Sequence, residues 1–285
     1  MKKVAVINDL SGFGKCSLTA AIPVLSALGI QCCPLPTAVL TGQTGYAHYF
    51  CTDLTDMMPQ YMEAWKKQGE TFEGIYTGYT TGTNQISWIM QFLDIFCRGG
   101  TFLLVDPVMG DDGHVYHMFS EELLLGMQKL TKRAHLITPN LTEACLLCGY
   151  PAEKVFEYTD EKDLLEFAFS LAHQLRDKAH VNQDVVITGI KTKGKEENRI
   201  CNAILTQKGE SVCRSFYFDQ SFSGTGDLFA SVLCGCRVKG QSTEDAVALA
   251  CDFLNQSIQD TMPDYKDRND GIQFESHLSI LINQR

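Results

Sequence analysis

The turn at residues 222–227 combines residue types that phosphate chemistry requires. Gly224 and Gly226 flank Thr225, Asp227 closes the turn, and an apolar helical pattern follows at once. A glycine-rich turn at the start of a helix lets backbone N–H groups converge where the helix dipole is positive, which suits phosphate oxygens. A carboxylate beside such an anion site can act as general base for a hydroxyl group attacking phosphorus. The structural alternative is an ordinary turn in which Asp227 caps the helix.

Two further polar runs directly follow short apolar strands. Asp106 and Asp111 come after the first of these strands, and Asn140 and Glu143 come after the second. Mg²⁺ prefers six oxygen ligands and retains several waters, so this oxygen-rich set could hold the ion directly or through water. Alternatively, Asn140 caps the next helix and Glu143 completes a capping box three residues later. Both interpretations stay open from the residues alone.

A third polar run follows the first apolar strand and fits neither of two common nucleotide motifs. A P-loop would require Gly where Asp9 stands and Ser or Thr where Cys16 stands. A dinucleotide fingerprint in the same stretch would require Gly or Ala where Ser17 stands. Both motifs are excluded. Gly12 and Gly14 can serve a tight turn from strand to helix, and the side chains of Asp9 and Ser11 could in addition face a small polar ligand there.

The elements that must position these residues alternate between strands and helices. Short apolar runs predict strands at 4–7, 30–35, 73–77, 101–105, 135–137 and 185–187, and a hairpin at 199–206 and 211–218. Helical patterns occupy 15–28, 53–67, 84–97, 120–131, a segment from about 141, 161–176, 225–238 and 243–260. This order predicts an α/β fold with a mostly parallel sheet flanked by helices, and ligands bind beyond the carboxyl ends of such strands. Residues 190–198 are predicted to form a solvated loop.

Composition narrows the class of protein. The chain has 285 residues, of which 45% are hydrophobic, and its formal net charge is −10. An acidic surface of this kind excludes general nucleic-acid binding, which needs clustered Lys and Arg. No export signal and no apolar run of membrane-spanning length is visible, so we expect a cytoplasmic protein with no membrane partner. The 12 cysteines are accordingly expected to be reduced, and Cys145 and Cys148 to pack in a core helix rather than bind zinc.

Taken in order along the chain, several motifs resemble those of the vitamin-kinase branch of the ribokinase superfamily, similar to pyridoxal kinases. The motifs are Ser11-Gly12-Phe13-Gly14, Thr37-Ala38-Val39 with Gly42-Gln43-Thr44-Gly45-Tyr46, Thr77-Gly78-Tyr79, Asp106-Pro107-Val108-Met109-Gly110-Asp111, Thr138-Pro139-Asn140-Leu141-Thr142-Glu143, Val186-Ile187-Thr188-Gly189 and Gly224-Thr225-Gly226-Asp227. The resemblance implies a ribokinase-like three-layer α/β fold, as one domain over residues 1–285. It also implies ATP-dependent phosphorylation of the 5′-hydroxymethyl group of pyridoxal, pyridoxine or pyridoxamine.

The same resemblance assigns roles to individual residues. It implies that Asp227 is the catalytic base and that the backbone of Gly224, Thr225 and Gly226 forms the anion hole over the nucleotide phosphates. It places Asp106, Asp111, Asn140 and Thr188 at the nucleotide, Glu143 with Asp106 and Asn140 at Mg²⁺, and the vitamin ring near Asp9, Ser11, Thr44 and Tyr79. It further implies a homodimer and leaves room for a monovalent cation such as K⁺.

Three alternatives to this function stay open. Hydroxymethylpyrimidine kinases of thiamin synthesis share the opening Asp9-Leu10-Ser11-Gly12. One of their relatives has a Gly-x-Gly-Cys catalytic turn and also phosphorylates pyridoxal, and Asp227 disfavours that variant here. A regulator that binds nucleotide or vitamin without catalysis would not need the set of Asp227, Asn140 and Glu143. A scaffold protein would use the glycine turns for topology alone.

Residues 109–118 are also predicted to act as a flap, which protease sensitivity with and without ATP and substrate would test.

Overall fold

The computed structural model describes residues 1–158, 160–193, 198–218, 220–264 and 266–282. The strands are β1 Lys3–Ser11, β2 Gln31–Leu40, β3 Cys51–Asp53, β4 Gly74–Thr77, β5 Phe102–Val105, β6 Gly110–Asp111, β7 His114–Val115, β8 Leu136–Ile137, β9 Asp184–Lys193, β10 Asn198–Thr206 and β11 Gly209–Phe216. The α-helices are α1 Ser17–Ala27, α2 Met58–Gln68, α3 Thr83–Phe96, α4 Glu121–Thr131, α5 Leu141–Cys148, α6 Glu161–Asp177, α7 Thr225–Lys239, α8 Thr243–Thr261 and α9 Ser279–Ile282. A mostly parallel sheet flanked by helices confirms the predicted α/β class.

The chain forms two compact units, each with its own core. The first unit contains Met1–Phe102 and Gln220–Arg285, and the second contains Leu103–Asp219. A single kinase domain over residues 1–285 stays a prediction. In the part of the chain described here, none of the helices combines the length and hydropathy that crossing a membrane requires.

The first unit is built around β1. Val4, Ala5, Val6 and Ile7 have no exposed surface, because β1 pairs in parallel with β2 on one side and β4 on the other. β3 adds an antiparallel edge to β2. The register between β1 and β2 shifts between Asn8 and Leu10, at the point where the polar run begins. Such irregularities re-aim side chains at the end of a strand and are common beside functional sites.

Helix α7 is central to the first unit. It packs against α1, α8 and β4, and every residue from Leu228 to Cys236 is buried. Gly224 caps its start with φ +82°, and Gly240 caps its end with φ +96°. A helix buried on all sides cannot shift without disturbing the core, so its first turn is held at a fixed place.

The second unit combines parallel and antiparallel strands. β8 lies between β5 and β9 in parallel, and β9, β10 and β11 continue as an antiparallel meander. β6 and β7 form a separate two-stranded hairpin. The predicted hairpin around Lys208 and Gly209 is confirmed as β10 and β11, which close with Thr206 opposite Gly209.

Three sequence predictions were wrong in detail. The helix predicted at 53–67 is a 3₁₀ turn at Thr55–Met57 followed by the α-helix from Met58, because 51–53 pairs as β3 and Pro59 suits the first helical turn. The strand predicted at 30–35 continues to Leu40, because its pairing with β1 continues despite Pro34 and Pro36. The loop predicted at 190–198 is partly strand, since β9 extends to Lys193, and residues 194–197 lie outside the described residues.

Candidate active site

The turn before α7 has the predicted form. Gly224 adopts the left-handed conformation, and a methyl group added there would lie 2.3 Å from the carbonyl oxygen of Lys15. Thr225 Oγ1 donates to the carbonyl oxygen of Phe222 at 3.1 Å. Asp227 is the third residue of α7, which confirms its predicted place in the first helical turn. The N–H groups of such a turn have no partner within their own helix, so they suit an anion.

Asp227 is surrounded by hydrogen-bond donors from three other elements. Asn8 Nδ2 donates to Asp227 Oδ1 at 3.0 Å, and the hydroxyl of Tyr76 lies 3.5 Å from the same oxygen. The backbone N–H of Ser17 also donates to this carboxylate. Burial of the carboxyl group, reinforced by the nearby carboxylate of Asp9, raises its pKa from 3.8 to about 6. Because the residue is still partly exposed, Asp227 is an accessible base that is ionised near neutral pH.

The turn that leads into α1 is strained and supports two carboxylates. Gly14, Lys15 and Ser17 all have positive φ, at +116°, +49° and +51°. The Ser17 N–H binds Asp227, and the Ser17 hydroxyl binds the carboxylate of Asp9. A left-handed conformation costs a residue with a side chain about 1–2 kcal/mol, and such strain concentrates at functional sites. Sequence reasoning used Ser17 only to exclude the dinucleotide fingerprint, whose last position it occupies, and did not assign it to the site.

Asp9 and Ser11 form a buried polar pair beside this turn. Ser11 Oγ donates to Asp9 Oδ2 at 2.8 Å, and the two residues are 1% and 5% exposed respectively. Burial raises the pKa of Asp9, while the hydroxyl groups of Ser17 and Ser11 oppose that rise. The pair therefore presents a carboxyl group in a setting of low polarity, where a nitrogen or hydroxyl donor on a ligand would bind strongly.

Tyr79 is held in place through its backbone. Its N–H donates to Asn8 Oδ1 at 2.8 Å, and its carbonyl oxygen accepts from Thr37 Oγ1 at 3.0 Å. The ring is half-buried, and burial together with the carboxylate of Asp9 raises the pKa of the phenol. Asp9, Ser11, Tyr79 and Asp227 are thus linked into one group by hydrogen bonds that run through Asn8 and Ser17, and their role as a substrate site stays a prediction.

Thr44 lies outside this group. It is exposed in the loop at 41–50, so its predicted role in binding the substrate stays a prediction. Its neighbour Gln43, which sequence reasoning did not single out, connects that loop to the turn at 222–227. Gln43 Nε2 donates to Ser223 Oγ at 3.1 Å and to Asn269 Oδ1 at 2.7 Å, and Gln43 Oε1 accepts from the N–H of Gly45 at 2.7 Å. Gln43 was already part of the motif containing Thr44, which was its only signal.

In the second unit, Asn140 and Glu143 form a capping box at the start of α5. Asn140 Oδ1 accepts from the N–H of Glu143 at 3.0 Å, and Glu143 Oε2 accepts from the N–H of Asn140 at 2.9 Å. Glu143 Oε1 accepts a further bond from the N–H of Met109 at 3.1 Å. Each carboxylate oxygen keeps a second lone pair, so the capping role does not use all the acceptor capacity of Glu143.

The carboxylates of Asp106 and Asp111 lie close enough to Glu143 to affect its ionisation. Burial, and then the carboxylates of Asp106 and Asp111, raise the pKa of Glu143 well above its usual range. Thr138 Oγ1 donates to Asp106 Oδ1 at 3.1 Å. This all-oxygen set fits Mg²⁺, which would offset the repulsion between carboxylates and which commonly arrives on phosphate oxygens with several waters. Among the described residues, no three His, Cys, Asp or Glu side chains are placed to hold a metal on their own.

Thr188 and the first part of the predicted flap lie next to Asn140. Asn140 and Thr188 form a parallel bridge, and Asn140 Nδ2 donates to the carbonyl oxygen of Gly110 at 2.7 Å. The N–H of Gly113 donates to Thr142 Oγ1 at 2.9 Å. The first half of segment 109–118 is therefore fastened to α5, and movement of this flap stays a prediction.

Comparison with known proteins identifies relatives over nearly the whole chain. The family model described as phosphomethylpyrimidine kinase matches residues 14–269. A pyridoxine/pyridoxal/pyridoxamine kinase of Bordetella avium is 26% identical over 268 residues, which cover 88% of this chain and 86% of that protein.

Two solved structures have closely similar folds. One is a Bacteroides thetaiotaomicron protein, provisionally named a phosphomethylpyrimidine kinase and crystallised with pyridoxal. It is 36% identical with a TM-score of 0.90, covering 98% of this chain and 95% of that one. The other, pyridoxal kinase from Lactobacillus plantarum, is 27% identical with a TM-score of 0.87, covering 99% and 97%. These likenesses confirm the ribokinase-like three-layer fold and the resemblance to vitamin kinases.

Proposed function

The chain belongs to the phosphomethylpyrimidine kinase family and is a phosphotransferase of the ribokinase-like vitamin kinases, and we propose that it phosphorylates vitamin B6. The acceptor would be the 5′-hydroxymethyl group of pyridoxal, pyridoxine or pyridoxamine, and the donor ATP. The observation that carries this proposal is the placement of Asp227 in the first turn of α7, partly exposed and in contact with the Asn8–Asp9–Tyr79 region.

Asp227 is proposed as the general base. Its carboxylate would accept the proton of the substrate hydroxyl group as that oxygen attacks the γ-phosphorus in line. The first-turn N–H groups at Gly224, Thr225 and Gly226 would stabilise the charge on the transferred phosphoryl group. Most of the acceleration would come from positioning and charge neutralisation, because phosphoryl transfer asks little covalent chemistry of the protein.

The vitamin ring is proposed to bind at Asp9, Ser11 and Tyr79, with Thr44 closing the site from its loop. A pyridine ring presents a flat π-face, a ring nitrogen and a phenolic oxygen. Tyr79 offers an aromatic surface for the first, and the Asp9–Ser11 pair offers an acceptor and a hydroxyl group for the others.

The acidic group in the second unit is proposed to serve the nucleotide. Asp106, Asn140 and Glu143 would hold Mg²⁺, largely through water, and Asp111 and Thr188 would lie along the triphosphate. When bound, Mg²⁺ would neutralise phosphate charge. A homodimer, a requirement for K⁺ and a cytoplasmic location are further parts of this proposal.

Hydroxymethylpyrimidine is the second candidate substrate, because the matching family is described by phosphomethylpyrimidine. A screen of ATP consumption with pyridoxal, pyridoxine, pyridoxamine, hydroxymethylpyrimidine and several sugars tests the choice. Turnover of the pyridines supports the proposal, and turnover of hydroxymethylpyrimidine alone would replace it. Thermal stabilisation by ATP without product would indicate a silent regulator, and no response to any ligand would indicate a scaffold.

The pH dependence of kcat/KM should report the ionisation of Asp227. Only the carboxylate can accept a proton, and its pKa is raised to about 6 by burial. We expect kcat/KM for a vitamin to fall about tenfold per pH unit below pH 6 and to level off above it. The profile should be measured with two vitamers whose ring groups ionise differently. A limb that moves with the vitamer would contradict the assignment to Asp227.

Glu143→Gln should lower the apparent affinity for Mg²⁺. The change keeps an acceptor for the N–H of Asn140, turns the amide NH₂ group towards the N–H of Met109, and removes a carboxylate beside Asp106. The Mg²⁺ concentration for half-maximal activity is expected to rise about 10–100-fold, as for other groups close to a metal. Glu121→Gln, in the exposed first turn of α4, is the matched control. Equal half-maximal Mg²⁺ concentrations for the two variants would contradict the assignment of Glu143 to the metal site.

A further inference from the structure

Asn8 has a role that neither its sequence motif nor the assigned site residues explain. It lies in β1, three residues before the strand ends at Ser11, has no exposed surface, and both polar atoms of its side chain are hydrogen-bonded. Its Nδ2 donates to Asp227 Oδ1 at 3.0 Å. Its Oδ1 accepts from the N–H of Tyr79 at 2.8 Å and from the N–H of Asp9 at 3.0 Å. One amide therefore contacts three of the residues placed in the site.

The orientation of this amide is fixed by its partners. The backbone N–H groups of Asp9 and Tyr79 can only donate, so the oxygen must face them. The NH₂ group must then face Asp227, whose ionised carboxylate can only accept. Rotating the amide by 180° would place donor against donor on one side and acceptor against acceptor on the other, so only one arrangement is satisfied.

Gly78 shows how tightly the amide is enclosed. A methyl group added at Gly78 would lie 2.5 Å from Asn8 Nδ2 and 2.8 Å from Asn8 Cγ. The glycine is therefore needed for the amide of Asn8 to reach across the end of β4 to Tyr79. This contact explains the sequence Gly78-Tyr79: Gly78 leaves space for the Asn8 amide, and Tyr79 supplies the N–H that donates to it.

We propose that Asn8 is a positioning residue. Its side-chain amide fixes the position of the base Asp227 relative to Tyr79, which is proposed to contact the substrate ring. The inference rests on the proposed function. Asp227 must point at the substrate hydroxyl group, and Tyr79 must hold the ring that carries it. Because both are fastened to the same buried side chain, a change in that side chain alters both turnover and binding, and different substitutions separate the two effects.

The groups that face Asp227 define what a substitution at position 8 would change. β1 contributes Asn8 and the carboxylate of Asp9, β4 contributes the Tyr76 hydroxyl, and the start of α1 contributes the Ser17 N–H and the Cys16 thiol. Burial and these carboxylates raise the pKa of Cys16, so it remains a neutral thiol. Asn8 and Ser17 are the donors that favour the ionised form of Asp227, with a weaker contribution from Tyr76.

Two substitutions separate the functions of the amide. Asn8→Asp keeps an oxygen for the N–H groups of Tyr79 and Asp9 but sets a carboxylate against Asp227. We expect KM for the vitamin to stay within about threefold, and kcat at pH 7 to fall about tenfold or more, with the deficit shrinking towards pH 9. Asn8→Ala removes both functions, so kcat should fall and KM should rise.

Gln85→Glu is the matched control. Gln85 is another fully buried amide of the first unit, and its side chain donates to the carbonyl oxygen of Thr37 and accepts from the N–H of Thr81. The change also buries a carboxylate but does not place it against Asp227. Its pH profile should keep the limb of the unchanged protein, and an equal shift in both variants would overturn the inference.

A readout without turnover keeps this inference distinct from the proposed function. The carboxyl carbon of Asp227, identified by its loss in Asp227→Asn, can be titrated by ¹³C NMR in the unchanged protein and both Asn8 variants. The midpoint should move to higher pH in each variant, even if no vitamer is phosphorylated. An unmoved midpoint in Asn8→Ala, or a kcat deficit in Asn8→Asp that is equal at every pH, would refute the role of Asn8.

Discussion

Asp227→Asn is expected to lower turnover on the order of 10²–10⁴-fold, the usual loss when a general base is removed. The substituted amide can still fill the space and meet Asn8, but it cannot accept a proton from an attacking hydroxyl group. Substrate KM should change little, because the ring contacts proposed at Asp9, Ser11 and Tyr79 are untouched. Steady-state kinetics with saturating ATP measures both quantities.

The same substitution should leave the protein at least as stable at pH 8. The pKa of Asp227 is raised from 3.8 to about 6, so the folded protein binds its proton more strongly than the unfolded chain does. The stability that this group contributes is therefore present below about pH 4 and is lost as pH rises through 6. Removing the charge should return on the order of 1–2 kcal/mol at pH 8. A variant that is inactive yet no less stable is typical of a residue selected for chemistry.

Asp245→Asn provides the matched control. Asp245 is the third residue of α8, as Asp227 is of α7, and it is exposed and accepts from Ser242 Oγ at 2.6 Å. The control should keep near-normal turnover. Near-normal turnover in Asp227→Asn itself, or equal losses in the two variants, would exclude Asp227 as the base.

Gly224→Ala is expected to be strongly destabilising and to impair catalysis together with folding. Its φ of +82° costs a residue with a side chain about 1–3 kcal/mol. The added methyl group would also lie 2.3 Å from the carbonyl oxygen of Lys15 and 3.1 Å from Cys16 Cα. The backbone at 14–17 would have to move, and it carries the Ser17 N–H that binds Asp227. We expect a lower melting temperature and at least a tenfold loss of turnover.

For Gly226→Ala, two residues later, we expect the opposite effect on stability. A methyl group there meets no heavy atom within 4 Å, and Gly226 lies inside the helix without a positive φ. Alanine is favoured over glycine in a helix by up to about 1 kcal/mol, so the melting temperature of the unliganded protein should rise. Urea unfolding of the two variants measures the contrast. If both variants unfolded at the same urea concentration, the close contact at Gly224 would not lower the free energy of unfolding.

Local patterns were sufficient to predict the strand-ending motifs and the start of α7. Each of these patterns spans only a few consecutive residues: the apolar run before Asn8, the glycine turn before Asp227, and the spacing from Asn140 to Glu143. Helix and strand periodicities are set over the same short distances, so the alternation of elements followed from them. The ends of elements were less accurate, because β2 and α2 are bounded by pairing and by Pro59 rather than by composition.

The residues that hold the site together could not be predicted from local patterns. Asn8 meets Asp227 across 219 positions, and Gln43 meets Ser223 across 180. The register shift after Asn8 decides which of the polar side chains at 8–11 face inward, and it depends on the pairing of β1 with β2. Ser17 binds Asp227 through a backbone N–H in a left-handed conformation, which its residue type does not reveal. Asn8 was visible only as a polar residue directly after a buried strand.

The burial of α7 on every side has a consequence for how acceptor preference can diverge among related proteins. A substitution between Leu228 and Cys236 would disturb the core before it could redirect the carboxylate at the start of the helix. The loop at 41–50 is largely exposed, so it tolerates change with less damage. Directed evolution towards a new substrate should therefore accumulate its mutations in such loops and leave α7 unchanged.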